Sequence, residues 1–125
     1  MISLDTNYLL RFFTNDIKSQ ALIARRIIKE EKEVYISPIV MAETVYFLRN
    51  YYKKDKISIC KELDLLIRQP NIKADAYISL ALHLYQSEPI SFYDCLFVAE
   101  ALLHKLEIKT FDEKLAKVFS KYRSS

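Results

Sequence analysis

Residues 33–52, EVYISPIVMAETVYFLRNYY, decide how the chain folds. Val34, Tyr35 and Ile36 form a β-branched and aromatic run of strand length. Ser37-Pro38 then reads as a helix N-cap followed by proline at the first helical position. The apolar spacing beyond it carries a helix to about Tyr52. Strand followed directly by helix is the repeating unit of a parallel sheet, because neighbouring parallel strands need a crossover between them.

The same alternation extends in both directions. MISL, residues 1–4, opens as a strand, and residues 17–31 place Ala21, Ile23, Ala24, Ile27 and Ile28 at helical spacing. After Tyr52, residues 56–69 form a helix that Pro70 stops, and residues 71–74 form a short third strand. A helix covers about 75–87, Pro89 breaks the chain, and Ser91 begins a helix reaching about Lys105. EIKT, residues 107–110, reads as a fourth strand, and a last helix occupies about 112–122. The expected fold is α/β, in three layers, with a central parallel sheet of four short strands flanked by helices.

Composition bounds the rest. The 125 residues suffice for one domain spanning 1–125, and 51% hydrophobic with 28% charged residues is a globular balance. Neither an apolar stretch of spanning length nor a basic N-terminal region before Asp5 is present, so no membrane segment or signal peptide is expected, and a cytoplasmic setting is. Cys60 and Cys95 suit free thiols better than a disulfide framework or zinc site. A net charge of +3 is compatible with a nucleic-acid partner. The chain has no glycine, which excludes Gly-rich phosphate loops, dinucleotide fingerprints and Gly-flanked nucleophilic serines. Asn and Asp are then expected wherever the backbone needs a positive φ.

Most of the sixteen acidic residues sit among other charges and read as solvated helix surface. Asp5, Glu43, Asp94 and Asp112 instead sit against apolar sequence near element ends. Asp5 could cap a helix. Asp94 stands three after Ser91, and Thr110 three before Glu113, so both stretches resemble capping boxes with Asp112 in a first turn. Glu43 resists a capping role, lying past the first turn in an apolar stretch where an unpaired carboxylate is costly. Glu100, deeper in its helix, reads as snorkelling or interface, and His83 and His104 as packing or surface groups.

Topology gives the four acids a common address. Asp5 follows strand one and Asp112 follows strand four, so both fall at the C-terminal edge of a parallel sheet. Glu43 lies early in the helix leaving strand two, and Asp94 begins the helix that feeds strand four. Convergence there, where open α/β sheets bind ligands, is the expectation. Clustered carboxylates need a counter-charge, and oxygen-only ligands select Mg²⁺ or Mn²⁺. The matching chemistry is metal-assisted phosphodiester hydrolysis by one or two ions.

LDTNYLLRFF (4–13), SPIVMAETVYFL (37–48) and SFYDCLFVAEALLHKLEIKTFDEKLAKVF (91–119) together resemble the PIN-domain ribonucleases, and most closely the VapC-type toxins of toxin–antitoxin pairs. The resemblance implies an acidic quartet at Asp5, Glu43, Asp94 and Asp112, Mg²⁺- or Mn²⁺-dependent cleavage of RNA, and silencing by a VapB-type antitoxin. It also implies a homodimer, and supporting polar roles for Asn7 and Thr110. Many members add a fifth strand after the last helix, whereas this sequence ends at KYRSS.

Arg11 is a further candidate, as a cation facing the scissile phosphate or an antitoxin carboxylate. Tyr51 and Tyr52, beside Arg49, Lys53 and Lys54, suit protein contact or RNA stacking. Two other functions compete. A phosphotransferase-type domain would use Asp5 as phosphoacceptor, but leaves Glu43 unexplained. A catalytically silent binding module would use the acids only as caps.

Overall fold

The computed structural model describes residues 1–124. They divide into two compact units, Met1–Asp75 and a second beginning at Ala76. The first holds β1 (Ile2–Ser3), α1 (Thr6–Phe13), α2 (Lys18–Glu30), β2 (Val34–Tyr35), α3 (Pro38–Asn50), α4 (Lys56–Ile67) and β3 (Ile72–Lys73). The second holds α5 (Tyr77–Ser87), α6 (Phe92–Leu103) and α7 (Glu113–Arg123).

The sheet is parallel, ordered β1-β2-β3, with Ile2, Val34 and Ile72 in register. Val34, Ile36 and Ile72 are buried with Leu4, and Leu9, Ala21, Ala24 and Met41 pack the helices of this unit. Parallel register delivers the residues after each strand to one edge, which is where Asp5 and Ser37 begin their helices. Ser37 Oγ accepts from Val40 N at 3.3 Å with Pro38 at the first helical position, as the sequence requires.

Among the described residues three strands form, where four, or five, were expected. Glu107–Thr110 makes no strand, and no strand follows α7 among the described residues. EIKT has strand-like composition, but a strand exists only with a ladder partner, and the second unit is built of helices. Glu107 instead pairs with Arg123 at 3.0 Å.

The positive-φ positions also differ from expectation. Lys53 (φ 58°) and Lys105 (φ 56°) occupy them rather than Asn or Asp. At Lys105 the reason is the helix end. Leu106 N donates to Ala101 O at 2.8 Å and Lys105 N to Leu102 O at 3.3 Å, which is the paired closure of a left-handed C-terminal cap. A side chain there carries a steric cost that glycine lacks. Lys105→Gly should therefore raise stability by about 0.5–1 kcal/mol in a denaturant titration. A loss would mean that the lysine side chain contributes more than its backbone strain costs.

In the second unit Glu88 fixes the end of α7. Its Oε2 accepts from Lys121 Nζ at 2.9 Å and from Tyr122 Oη at 2.7 Å. The Lys121 and Tyr122 hydrogen bonds hold its carboxyl below the usual range. A depressed folded pKa means that this contribution is full above the unfolded carboxylate value and is lost as pH falls through the folded one. Glu88→Gln should melt below the parent at neutral pH, and the gap should close in acid. A gap independent of pH would assign the difference to packing. Cys60 and Cys95 are thiols rather than a disulfide, as expected; both are buried, and burial pushes the Cys60 thiol up to about 11.

Candidate active site

Asp5 is the N-cap of α1. Its Oδ1 accepts from Tyr8 N at 3.0 Å, which satisfies a backbone donor at the helix start and leaves Oδ2 outside the cap. The next residue, Thr6, reaches across to α3, where its hydroxyl donates to Glu43 Oε1 at 2.7 Å. That bond brings Glu43 to the beginning of α1. Asp5 and Glu43 thus share one edge of the first unit, each with one carboxylate oxygen engaged by a protein donor.

Glu43 is exposed, although the sequence around it is apolar. The stretch is apolar because Met41, Ala42, Thr44 and Val45 are all buried, while Glu43 falls on the outer stripe of α3. Ile39 (68% exposed), Tyr46 (51%) and Phe47 lie on that stripe, at helical spacing from Glu43. The burial cost inferred from sequence therefore does not apply. What distinguishes Glu43 is its Thr6 partner, which sequence reasoning missed. The available signal was the position of Thr6 between Asp5 and Asn7.

In the second unit, Asp94 lies in the first turn of α6, half-buried. Ser91 Oγ accepts from Asp94 N at 3.1 Å, so Ser91 caps the helix and the Asp94 carboxylate is not the cap acceptor. Asp112 is itself the N-cap of α7, with Oδ1 accepting from Lys114 N at 2.9 Å and Leu115 N at 3.2 Å. Thr110 is not the cap suggested by its spacing. Its hydroxyl accepts from Asp112 N at 3.0 Å and shapes the turn before the helix. Lys114 Nζ donates to Pro89 O at 3.3 Å, holding the first turn of α7 against the loop that enters α6. The fourth strand on which the expected convergence of Asp94 and Asp112 rested does not form.

A cavity of about 440 Å³ opens beside Asp5, lined also by Asn7, Tyr8, Arg11, Gln20 and Ile23. Arg11 is more enclosed than a surface arginine, with its side chain 18% exposed. Its Nε donates to Gln20 Oε1 at 2.9 Å, and Nη1 lies 3.7 Å from Asp16 Oδ1. Tyr52, a candidate for partner contact, is instead structural, since its hydroxyl donates to Asp16 Oδ2 at 2.8 Å. Tyr51 is 72% exposed and keeps that candidacy. His83, His104 and Glu100 are exposed, and His104 makes an edge contact with the Tyr77 ring.

Among the described residues no three His, Cys, Asp or Glu side chains are arranged to hold a metal ion. The donor chemistry of the first unit nevertheless suits a hard divalent cation. Mg²⁺ commonly takes one or two carboxylates and keeps waters in its remaining positions. Asp5 and Glu43 offer two carboxylates with no nitrogen or sulfur ligand beside them.

Thr6→Val tests whether the Thr6–Glu43 bond matters to function. Loss of a hydrogen bond that orients a ligand carboxylate should lower metal affinity or turnover roughly ten-fold or more. Thr6→Ser should restore it, and neither protein should unfold more easily by more than about 0.5 kcal/mol. Unchanged kinetics in Thr6→Val would leave the bond a helix-packing contact.

No helix among the described residues is long and apolar enough to cross a membrane. No curated protein matches the chain. The family model described as PIN domain matches residues 2–120, which include Asp5, Glu43, Asp94 and Asp112, and the chain therefore belongs to the PIN domain family.

Proposed function

We propose that the chain is a Mg²⁺- or Mn²⁺-dependent endoribonuclease of the VapC toxin type, acting in the cytoplasm as a homodimer and neutralised by a VapB-type antitoxin. PIN domains are generally nucleases. The observation that carries the reading is the 2.7 Å bond from Thr6 to Glu43, which ties two carboxylates of the expected quartet to one helix start. The family match runs through both compact units, which supports treating 1–125 as one nuclease domain.

Asp5, Glu43, Asp94 and Asp112 are the proposed ligands. When bound, the metal supplies a polarised water and screens the charge of the scissile phosphodiester. The chain's residues set the conditions for that chemistry. The α1 cap holds Asp5, Thr6 holds Glu43, and Thr110 shapes the turn that presents Asp112. Asn7 lines the cavity beside Asp5, in keeping with a supporting polar role, and Arg11 lines it as the proposed substrate contact. Without a cation these carboxylates repel RNA phosphates, so the bare protein is a poor nuclease.

The exposed stripe of Ile39, Tyr46 and Phe47 flanking Glu43 favours a protein partner at this edge. An antitoxin seated there would cover a catalytic carboxylate while burying apolar area. Incubation of the purified chain with RNA, with Mg²⁺ and with EDTA, tests the proposal by mapping new RNA ends. Metal-dependent internal cuts support it. No cuts with Mg²⁺ or Mn²⁺ would favour the silent binding module.

A further inference from the structure

The cavity beside Asp5 is lined by two side chains that carry hydrogen-bond donors, Arg11 and Gln20. Arg11 carries no acceptor, so Gln20 must present Oε1 to its Nε, and the Gln20 amide N–H₂ is then the polar group left over. The 3.7 Å separation of Arg11 Nη1 from Asp16 is an ion pair without a hydrogen bond, leaving the terminal guanidinium N–H groups for a ligand. The wall they form is also braced by hydrogen bonds. Asp16, which anchors it, accepts from Tyr52 Oη and Thr14 Oγ1, each at 2.8 Å. Those two hydrogen bonds, with the nearby Arg11 charge, hold the Asp16 carboxyl below its usual range, so it is ionised wherever RNA is handled.

Charge decides what such a wall selects. Arg11 is balanced by Asp16, and Asp5 adds a further negative charge at the cavity's edge. A phosphate gains little there. A neutral group with adjacent acceptors gains both donors at no electrostatic cost. On the major-groove edge, guanine alone among the RNA bases presents two neighbouring acceptors, N7 and O6, whereas adenine and cytosine offer an amino donor at the corresponding place. The half-exposed Tyr8 and Ile23 supply apolar lining for a base, and about 440 Å³ is room for one.

We propose that this cavity is a base-reading subsite for one guanine of the RNA, with Arg11 and Gln20 donating to N7 and O6. Its use in cleavage rests on the nuclease function proposed above, but its ligand chemistry can be measured without cleavage. The experiment is a protein-observed NMR titration of the whole chain, without metal, with guanosine, inosine, 7-deazaguanosine and adenosine. Guanosine and inosine, which share N7 and O6, should bind alike. Adenosine and 7-deazaguanosine should bind about ten-fold more weakly or worse. Gln20→Glu retains an acceptor for Arg11 Nε and suits the first turn of α2, but replaces the amide donor with an acceptor, so it should abolish the preference. Equal binding of adenosine, no binding of guanosine at millimolar concentration, or a preference that survives in Gln20→Glu would each overturn the subsite. RNA cleavage assayed alongside separates the two claims. Guanosine selection without cleavage would sink the nuclease reading alone, and cleavage without guanosine selection would sink the subsite alone.

Discussion

Asp5→Asn, Glu43→Gln, Asp94→Asn and Asp112→Asn should each lower RNA cleavage roughly a hundred-fold or more, because each would remove a negative ligand from the proposed cation site. Their melting temperatures should stay within about 2 °C of the parent, since Asp5, Glu43 and Asp112 are exposed, Asp94 is only half-buried, and isosteric changes at such positions move stability by less than about 0.5 kcal/mol. The amide is the informative substitution. Asp5 and Asp112 are also helix caps, through Tyr8 N and through Lys114 N and Leu115 N. Asparagine caps a helix as well as aspartate does, so the amide keeps the cap and removes only the charge.

Alanine at the same positions separates the two roles. Asp5→Ala and Asp112→Ala should lose activity and also about 1 kcal/mol of stability, because the cap acceptor is gone. Asp94→Ala should lose activity without that cost, since Ser91 is the cap of α6. Activity assays and melts on the eight proteins read this pattern directly. Amide variants that cleave like the parent, with alanine variants that merely melt lower, would reduce Asp5 and Asp112 to caps.

The alternation of strand and helix was legible because it rests on local signals that the structure kept. Ser37-Pro38 starts α3, Pro70 follows α4, and Ser91 caps α6. What failed was non-local. EIKT has the residues of a strand, but pairing depends on what lies beside it, which no local pattern states. The lysines at positive φ were illegible for a related reason: helix closure at Ala101 and Leu102 sets the backbone at Lys105, and the side chain tolerates it.

Among the candidate site residues, Asp5 was legible as a cap and Glu43 as an anomaly, but for a mistaken reason. Glu43 stands out in sequence because its neighbours are buried, and in the structure because Thr6 holds it. The pair Arg11–Gln20 lay beyond sequence reasoning altogether. The two residues are nine apart, on α1 and α2, and neither helix's own periodicity links them.

Mn²⁺ should raise the melting temperature of the parent by an amount set by mass action, about 2.7 kcal/mol when free metal is a hundred times its dissociation constant, or on the order of 10 °C. Ligand carboxylates must be ionised to bind, so the shift should grow as pH rises through the carboxylate range and level off above it. Glu43→Gln should lose most of the shift, because it removes the carboxylate that Thr6 holds at the helix start capped by Asp5. Asp94→Asn carries the sharper question, since Asp94 belongs to the second compact unit and Glu43 to the first. If four carboxylates serve one metal centre, both variants lose the shift. If Asp5 and Glu43 bind the ion by themselves, Asp94→Asn keeps it in full, and Asp94 has to act on the RNA rather than on the metal. No shift in the parent at any pH would remove the metal from the proposal and leave the acids as caps and surface charges. The melts therefore assign ligands independently of whether the right RNA has been found.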